Sequence, residues 1–259
     1  MIKAIFFDID GTLLSIGNQK IPDSTVKALK KAKEKGIKLI VATGRHGRHI
    51  GFLEDVFHFD AYVTLNGQYC MAEGEVFHKL SLKKESIQYA AEHLRDAKFP
   101  CSFLEENKEY LNYIDASVEK RYNRLNLKLP EVYDLSRAGE NEVFQLWLSL
   151  PEEQEYEILR DMPEIIGARW HPDFIDIMPA DGGKHIGMQK TLEYFGIKRE
   201  ECMAIGDGEN DITMLKFAGT GVAMGNADEQ VKSAADYVTS SVDEDGIWNT
   251  LMHFGIIAV

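Results

Sequence analysis

The sequence predicts an α/β protein, a doubly wound parallel sheet into which a smaller α+β domain is inserted. Short apolar runs alternate with stretches of helical period over 1–80, and this alternation resumes at residue 182, which is typical of such sheets. Over 81–181 the rhythm changes, because several strand-like runs follow one another closely. We therefore expect a core domain made of 1–80 and 182–259, and an inserted α+β domain over 81–181.

The first half of the core is predicted to run strand, helix, strand, helix, strand. Its apolar runs are rich in Ile, Val and Phe and suit buried parallel strands over 3–9, 37–42 and 62–65. The first helix is predicted to start at an N-cap, Ser24, and to end at Gly36. A second helical pattern covers 46–57.

The inserted domain and the rest of the core follow in order. The inserted domain has helical patterns over 81–98, 116–127 and 152–162, and strand-like runs over 101–105, 109–114, 144–150 and 167–179. The core then continues with helices over 184–196, 210–217, 227–235 and 247–253, and with strands over 202–205, 220–224 and 236–239.

Composition and charge indicate a globular protein and argue against several classes. Hydrophobic residues make up 44% and charged residues 27%, which argues against disorder. The net charge of −13 argues against a nucleic-acid partner. The three cysteines are widely spaced, which favours a reducing compartment over a disulfide scaffold. The apolar start is too short for a signal peptide, and no stretch approaches the roughly 20 residues of a membrane helix. We expect a cytoplasmic protein with no membrane partner.

Acidic residues lie where the first predicted strand ends, in the segment Asp8-Ile9-Asp10-Gly11-Thr12. Asp8 and Asp10 point to the same side of an extended chain, because side chains alternate along a strand. Two such carboxylates can share a hard cation such as Mg²⁺, or divide the roles of nucleophile and acid–base. A simple turn capped by Asp is the alternative.

A second acidic segment, Gly206-Asp207-Gly208-Glu209-Asn210-Asp211, follows the strand over 202–205. The carboxyl ends of neighbouring parallel strands meet at one sheet edge, so Asp207 and Asp211 are expected to join Asp8 and Asp10 there. Four acids in one place raise each other's pKa, which favours a bound cation. A glycine turn followed by a helix cap is the alternative.

Two polar elements suit a phosphate. Thr43 and Gly44 end the second strand, where a hydroxyl and a backbone N–H could hold a phosphate oxygen. Lys184 stands at a predicted helix start, which the helix dipole disfavours, so it could be kept there for an anion. A plain turn and a surface lysine are the alternatives.

Along the chain the four elements follow in the order 8–12, 43–45, Lys184 and 206–211. This set of motifs in this order resembles the haloacid dehalogenase (HAD) superfamily of phosphatases. The insertion after the third core strand, and the segments 41–45 and 221–227, resemble its Cof-like, type IIB subfamily. The resemblance covers essentially the whole chain. It implies a Rossmann-like core in which the inserted domain is a cap that closes over the site, excludes water and selects the leaving group.

The resemblance also implies roles for individual residues. Asp8 would be the nucleophile that forms an aspartyl phosphate, and Asp10 the acid that protonates the leaving alcohol and then the base that activates water. Phosphate binding would fall to Thr43, Gly44, Lys184 and Asn210. Mg²⁺ would be bound by Asp8, the Asp10 carbonyl and Asp207, with Asp211 in support.

We therefore predict a Mg²⁺-dependent phosphatase for phosphomonoesters of small metabolites, with sugar phosphates favoured. Candidate specificity residues are Arg45, Trp170 and His171, although a hairpin with a packed Trp also explains 169–173. A monomer would suffice, and a small homo-oligomer is compatible. One rival is a phosphotransferase or mutase acting on the same substrates. The other is a phospho-accepting signalling module, which would leave Asp10 and the large insertion unexplained.

Overall fold

The structure of the protein is a computed structural model that describes residues 1–95, 99–171 and 174–258. The chain divides into two compact units, a core unit of Met1–Lys79 with Gly183–Val259 and an inserted unit of Leu80–Gly182. The domains predicted from the sequence are 1–80 with 182–259 and 81–181. Among the described residues, no helix combines the length and hydrophobicity that crossing a membrane requires.

The described residues form strands and α-helices with the following bounds. The strands are β1 (Ala4–Phe7), β2 (Lys38–Ala42), β3 (Ala61–Thr64), β4 (Tyr69–Ala72), β5 (Glu75–Lys79), β6 (Cys101–Glu105), β7 (Glu109–Leu111), β8 (Glu131–Val132), β9 (Val143–Leu148), β10 (Ile165–His171), β11 (Phe174–Pro179), β12 (Cys202–Gly206), β13 (Thr220–Ala223) and β14 (Tyr237–Val238). The helices are α1 (Asp23–Glu34), α2 (Lys84–Arg95), α3 (Ala116–Arg124), α4 (Glu152–Leu159), α5 (Lys184–Phe195), α6 (Ile212–Phe217), α7 (Glu229–Lys232) and α8 (Gly246–His253).

The core unit is built on a sheet in the order β14-β13-β12-β1-β2-β3-β4-β5. The strands from β14 to β3 are parallel, and β4 and β5 add an antiparallel hairpin at one edge. Ala4 in β1 lies opposite Lys38 in β2 and Cys202 in β12. The predicted α/β class with a parallel-sheet core is confirmed.

Both faces of the core sheet are buried, which explains the continuous apolar runs of its strands. Along β1, Ile5 and Phe7 belong to one apolar cluster, which also contains Leu29 of α1 and Leu251 of α8. Ala4 and Phe6 belong to the opposite cluster, with residues of α5 and α6. This packing fixes the register of β1, so the residues that follow Phe7 leave the sheet at a defined point.

The inserted unit is an α+β structure on a sheet in the order β10-β11-β9-β6-β7-β8. Its strands pair antiparallel, except for β7 and β8. An apolar cluster joins the strands to α2 and includes Phe103, Leu146, Ile175 and Leu94.

Several details differ from the sequence prediction. Ser24 is not an N-cap, because α1 starts at Asp23, after Pro22. The predicted helix over 46–57 is replaced by two 3₁₀ turns, Gly47–His49 and Gly51–Leu53, since glycine disfavours a continuous helix. The run over 167–179 is two strands, β10 and β11.

The hairpin of β4 and β5 was not predicted. It turns at Glu73 and Gly74, whose φ angles of 52° and 82° are those of a tight hairpin turn.

Candidate active site

The carboxyl ends of the central core strands bring together residues that are far apart in the sequence. Asp8 follows β1, Thr43 follows β2 and Asp207 follows β12. Because these three strands are parallel neighbours, their ends lie along one edge of the sheet. Lys184, the first residue of α5, reaches the same edge and contacts Asp8.

Lys184 is the buried cation of the site, with 1% of its surface exposed. Its Nζ donates to Asp8 Oδ1 at 2.6 Å and to Asp211 Oδ1 at 2.5 Å. Although burial alone lowers it, the pKa of Lys184 is raised above its usual value by Asp211 and Asp8. Lys184 therefore remains charged beside Asp8, and the alternative of a surface lysine is wrong.

Asp211 holds other site residues in place. Its Oδ1 accepts from Lys184, and its Oδ2 accepts the backbone N–H groups of Asp207 and Gly208, both at 2.9 Å. Both carboxylate oxygens of this fully buried residue are thus engaged within the protein. Asp211 consequently fixes both the cation and the turn that carries Asp207.

Asp207 is oriented from two directions. Its Oδ1 accepts from the Thr12 hydroxyl at 2.7 Å, and its Oδ2 accepts from the Asn226 amide at 3.1 Å. Asn226 also donates to the Gly11 carbonyl at 3.0 Å and accepts from the Val242 N–H at 3.0 Å. Gly11 has φ 90° and presses against the Asp207 carboxylate, so a side chain at position 11 would collide with it.

The pKa values of Asp8 and Asp207 are raised at this edge of the sheet. Burial, opposed by Lys184 and reinforced by Asp211 and Asp10, raises the pKa of Asp8 to about 7. Burial and the charges of Asp8 and Asp211 raise the pKa of Asp207 well above its ordinary value. Burial is the first cause of both shifts, and the charges of the neighbouring carboxylates add to it.

The acids fit a divalent cation. One carboxylate oxygen from each of Asp8, Asp207 and Asp211 lies within 4.8 Å of the others. Asp211 is the least available of the three, because its Oδ1 accepts from Lys184 and its Oδ2 accepts from two backbone N–H groups. Oxygen ligands of this kind suit Mg²⁺.

Asp10 forms a bidentate ion pair with Arg45. Arg45 Nε and Nη2 each donate to one Asp10 oxygen at 2.7 Å, and its Nη1 donates to the His49 carbonyl at 3.3 Å. The guanidinium, 6% exposed, also lies 5.5 Å from the centroid of the Phe52 ring. Arg45 was predicted as a specificity residue, and the structure places it against the candidate general acid.

The remaining predicted residues are placed as follows. Thr43 is buried, and its hydroxyl accepts the Arg45 N–H at 3.1 Å, next to Gly44 in the same turn. The Asn210 amide donates to Asn66 Oδ1 at 2.9 Å. The side chains of Trp170 and His171 lie outside the described part of the structure.

Three residues of this region received no role from the sequence, namely Thr12, Asn226 and Asn66. Thr12 and Asn226 stand in segments that carried the family resemblance, and Asn66 stands at the end of a predicted strand. Their positions could therefore be noticed in the sequence. Their hydrogen bonds to Asp207 and Asn210 depend on contacts between distant segments.

Comparison with known families assigns this chain to a class of hydrolases. The model of the haloacid dehalogenase-like hydrolase family matches residues 5–251. The chain therefore belongs to this family, which confirms the predicted superfamily and the enzyme class of phosphomonoester hydrolase.

Individual relatives are similar along almost their whole length. YkrA of Bacillus subtilis (strain 168), a protein provisionally named a phosphatase, is 33% identical over 98% of both chains. The 5-amino-6-(5-phospho-D-ribitylamino)uracil phosphatase YcsE of the same organism is 29% identical over 98% of this chain and 96% of its own. The solved structure of a HAD subclass IIB sugar phosphatase superposes with a TM-score of 0.94 and 40% identity, covering 98% of this chain and 100% of that one.

Proposed function

We propose that this protein is a Mg²⁺-dependent phosphatase that hydrolyses small sugar or polyol phosphates through an aspartyl phosphate on Asp8. The observation that carries the proposal is the contact of Asp8 with buried Lys184, beside a second acid, Asp207, that fits a shared cation. Phosphoryl transfer depends mainly on positioning and on neutralising charge, and this geometry supplies both.

Asp8 is the proposed nucleophile. A carboxylate must be ionised to attack phosphorus, whereas burial raises the pKa of Asp8 to about 7. A divalent cation bound by Asp8 and Asp207 would lower that pKa and offset the charge of an arriving phosphate. The excess negative charge of the site is therefore a reason to expect a metal.

Lys184, Thr43, Gly44 and Asn210 are proposed to bind the phosphoryl oxygens. Lys184 supplies a buried positive charge within reach of Asp8. Thr43 and Gly44 supply a hydroxyl and a backbone N–H at the end of β2, and Asn210 supplies an amide from the turn after β12.

Asp10 is the proposed general acid and base. It follows β1 two residues after Asp8, so it can reach the leaving oxygen while Asp8 faces phosphorus. In the structure both Asp10 oxygens are bound by Arg45, so donating a proton requires this pair to open on at least one side. Arg45 would thus set the direction from which Asp10 approaches the leaving group.

The substrate class is supported by the relatives. One is named for a sugar phosphate activity, and another for a phosphate on a ribityl chain. Both leaving groups are alcohols within polyhydroxylated carbon chains. We propose the same class here, in a cytoplasmic enzyme, and the three free, buried cysteines are compatible with that compartment.

The test is a phosphate-release screen across sugar, polyol, nucleotide and cofactor phosphates, with and without Mg²⁺. We expect the highest kcat/KM for sugar or polyol phosphates, and loss of activity in EDTA that Mg²⁺ restores. Activity confined to nucleotides, or unaffected by EDTA, would contradict the proposal. Label exchange between sugar phosphates without phosphate release would favour a mutase, and a phospho-Asp8 that persists without turnover would favour a signalling module.

A further inference from the structure

The turn that follows β3 has an unusual backbone. Leu65, Asn66 and Gly67 have φ angles of 52°, 54° and 99°, so three consecutive residues are left-handed. Glycine and asparagine tolerate this region, whereas for leucine it is strained. Strain of this kind persists only where surrounding contacts enforce it, and it concentrates at functional sites.

The contacts that enforce the turn come from the proposed phosphate-binding elements. The Leu65 N–H donates to the Arg45 carbonyl at 3.0 Å, and the Asn66 N–H donates to the Thr43 carbonyl at 2.9 Å. Gly67 packs against the carbonyl of Gly183, the residue before Lys184, so closely that a side chain would not fit. The turn therefore touches both the end of β2 and the start of α5.

The Asn66 side chain reaches the third such element. It is 1% exposed, and its Oδ1 accepts from Asn210 Nδ2 at 2.9 Å. The two N–H groups of an amide lie in one plane at a fixed angle. Anchoring one N–H of Asn210 on Asn66 therefore sets the direction of the other.

We propose that Asn66 is a positioning residue for phosphate binding, acting through Asn210. The left-handed turn supplies the backbone contacts to the strand end and to the helix start, and the Asn66 carboxamide orients the Asn210 donor toward the phosphoryl oxygens. The inference rests on the proposed function, because it takes Asn210 to be a phosphate ligand.

The test measures the binding of inorganic phosphate by calorimetry in the presence of Mg²⁺, which needs no turnover. Asn66→Gly keeps a residue that tolerates positive φ and removes the acceptor for Asn210. We expect phosphate affinity to fall about 10-fold, as for other residues that orient a ligand. Glu73→Gly is the matched control, because Glu73 has φ 52° in the β4–β5 turn, away from the site, and its affinity should equal that of the wild type.

A double-mutant cycle separates positioning from a general loosening of the loop. If Asn66 acts through Asn210, then Asn66→Gly should weaken phosphate binding in the wild-type background and have no further effect in Asn210→Ala. Additive losses would overturn the proposal. Asn66→Ala is a second variant, which should lose the same affinity as Asn66→Gly while melting at a lower temperature. Affinity that follows the melting temperature would indicate a structural role only.

The two levels of the hypothesis fail differently. If the wild type binds phosphate but releases none from any phosphomonoester, the proposed function fails and the cycle still decides the role of Asn66. If the wild type is an active phosphatase and Asn66→Gly binds phosphate equally well, the positioning role is wrong. A wild type that binds no phosphate would overturn both.

Discussion

The two units each bury a cluster of charged side chains, and the clusters differ in how charge is balanced. In the core, one cation, Lys184, serves both Asp8 and Asp211, while Asp207 lies close to both acids. Arg45 pairs with Asp10. Negative charge therefore remains in excess, and buried carboxylates in that situation are unfavourable.

In the inserted unit, the cluster formed by Arg121, Tyr122, Glu109, Ser102 and Ser149 is balanced, with one cation and one anion. Arg121, 4% exposed, donates to the hydroxyls of Ser102 and Ser149, each at 3.0 Å. The Tyr122 hydroxyl donates to Glu109 and lies 3.0 Å from the Ser102 hydroxyl. One cation and one anion are thus joined through neutral hydroxyls. The difference teaches that excess charge, and not burial of charge as such, distinguishes the proposed catalytic cluster from the cluster of the inserted unit.

The largest effect should follow from Asp8→Asn, which removes the proposed nucleophile. Turnover should fall on the order of 10⁶-fold, as when other covalent nucleophiles are removed. Because asparagine has no charge to desolvate, the variant without metal should melt at or above the wild-type temperature. Asp161→Asn, at a side chain 65% exposed, is the control and should change neither property. Substantial activity of Asp8→Asn would show that the unbalanced cluster of the core is not catalytic.

The second-largest effect is expected at Asp10, whose carboxylate pairs with Arg45. Arg45→Met should misplace Asp10 and lower kcat for alkyl phosphates about 10²-fold, the lower end of a general-acid contribution. Turnover of p-nitrophenyl phosphate should change far less, because that leaving group needs little protonation. Arg45→Lys keeps the charge without the bidentate geometry and should be intermediate. Equal losses on both substrates would contradict a role through Asp10.

A smaller effect is expected at the residues that orient Asp207. Asn226→Ala should weaken Mg²⁺ binding about 10-fold, since it releases one Asp207 oxygen and the Gly11 carbonyl. The measurement is the Mg²⁺ dependence of the melting temperature, together with the Mg²⁺ concentration for half-maximal activity. Asn249→Ala also removes amide hydrogen bonds, to Ser240 and Glu244, and should leave both unchanged. An unchanged Mg²⁺ dependence in Asn226→Ala would show that Thr12 alone orients Asp207.

The smallest effect on activity should come from the balanced cluster. Tyr122→Phe removes the hydroxyl that joins Glu109 to Ser102, and we expect the free energy of unfolding to fall by about 1–3 kcal/mol. Turnover of the folded enzyme should not change. Tyr156→Phe, at a residue 73% exposed, is the matched control and should be neutral. A loss of turnover without a loss of stability would show that the cluster of the inserted unit also contributes to activity.

The sequence predicted that Asp8 and Asp207 lie together, because their placement depends on strand ends and on pairing between parallel strands. Lys184 reaches them as the first residue of α5, and its role followed from the family resemblance. The Arg45–Asp10 pair escaped prediction, since it depends on the direction of two side chains 35 positions apart. Likewise, the bond from Asn226 to Asp207 requires the loop after β13 to lie against the loop after β12.

Local elements were missed for a different reason. The helix predicted over 46–57 relied on apolar spacing, but Gly47 and Gly51 favour short turns there. The β4–β5 hairpin has little apolar alternation of its own on β5, whose residues are exposed or half-buried. The hairpin is placed in the sheet by the pairing of β4 with β3.

The pairing of β1 with β12 also determines how late in synthesis the core sheet can be completed. β1 is synthesised before both of its partners, and one of them, β12, begins only at Cys202. Until then one edge of this fully apolar strand has no partner in the growing chain, which leaves it open to pairing with other chains. The nascent polypeptide also lacks both Lys184 and Asp207, so a ribosome stalled within the insertion would display Asp8 without the cation and the acid that lie beside it in the folded protein.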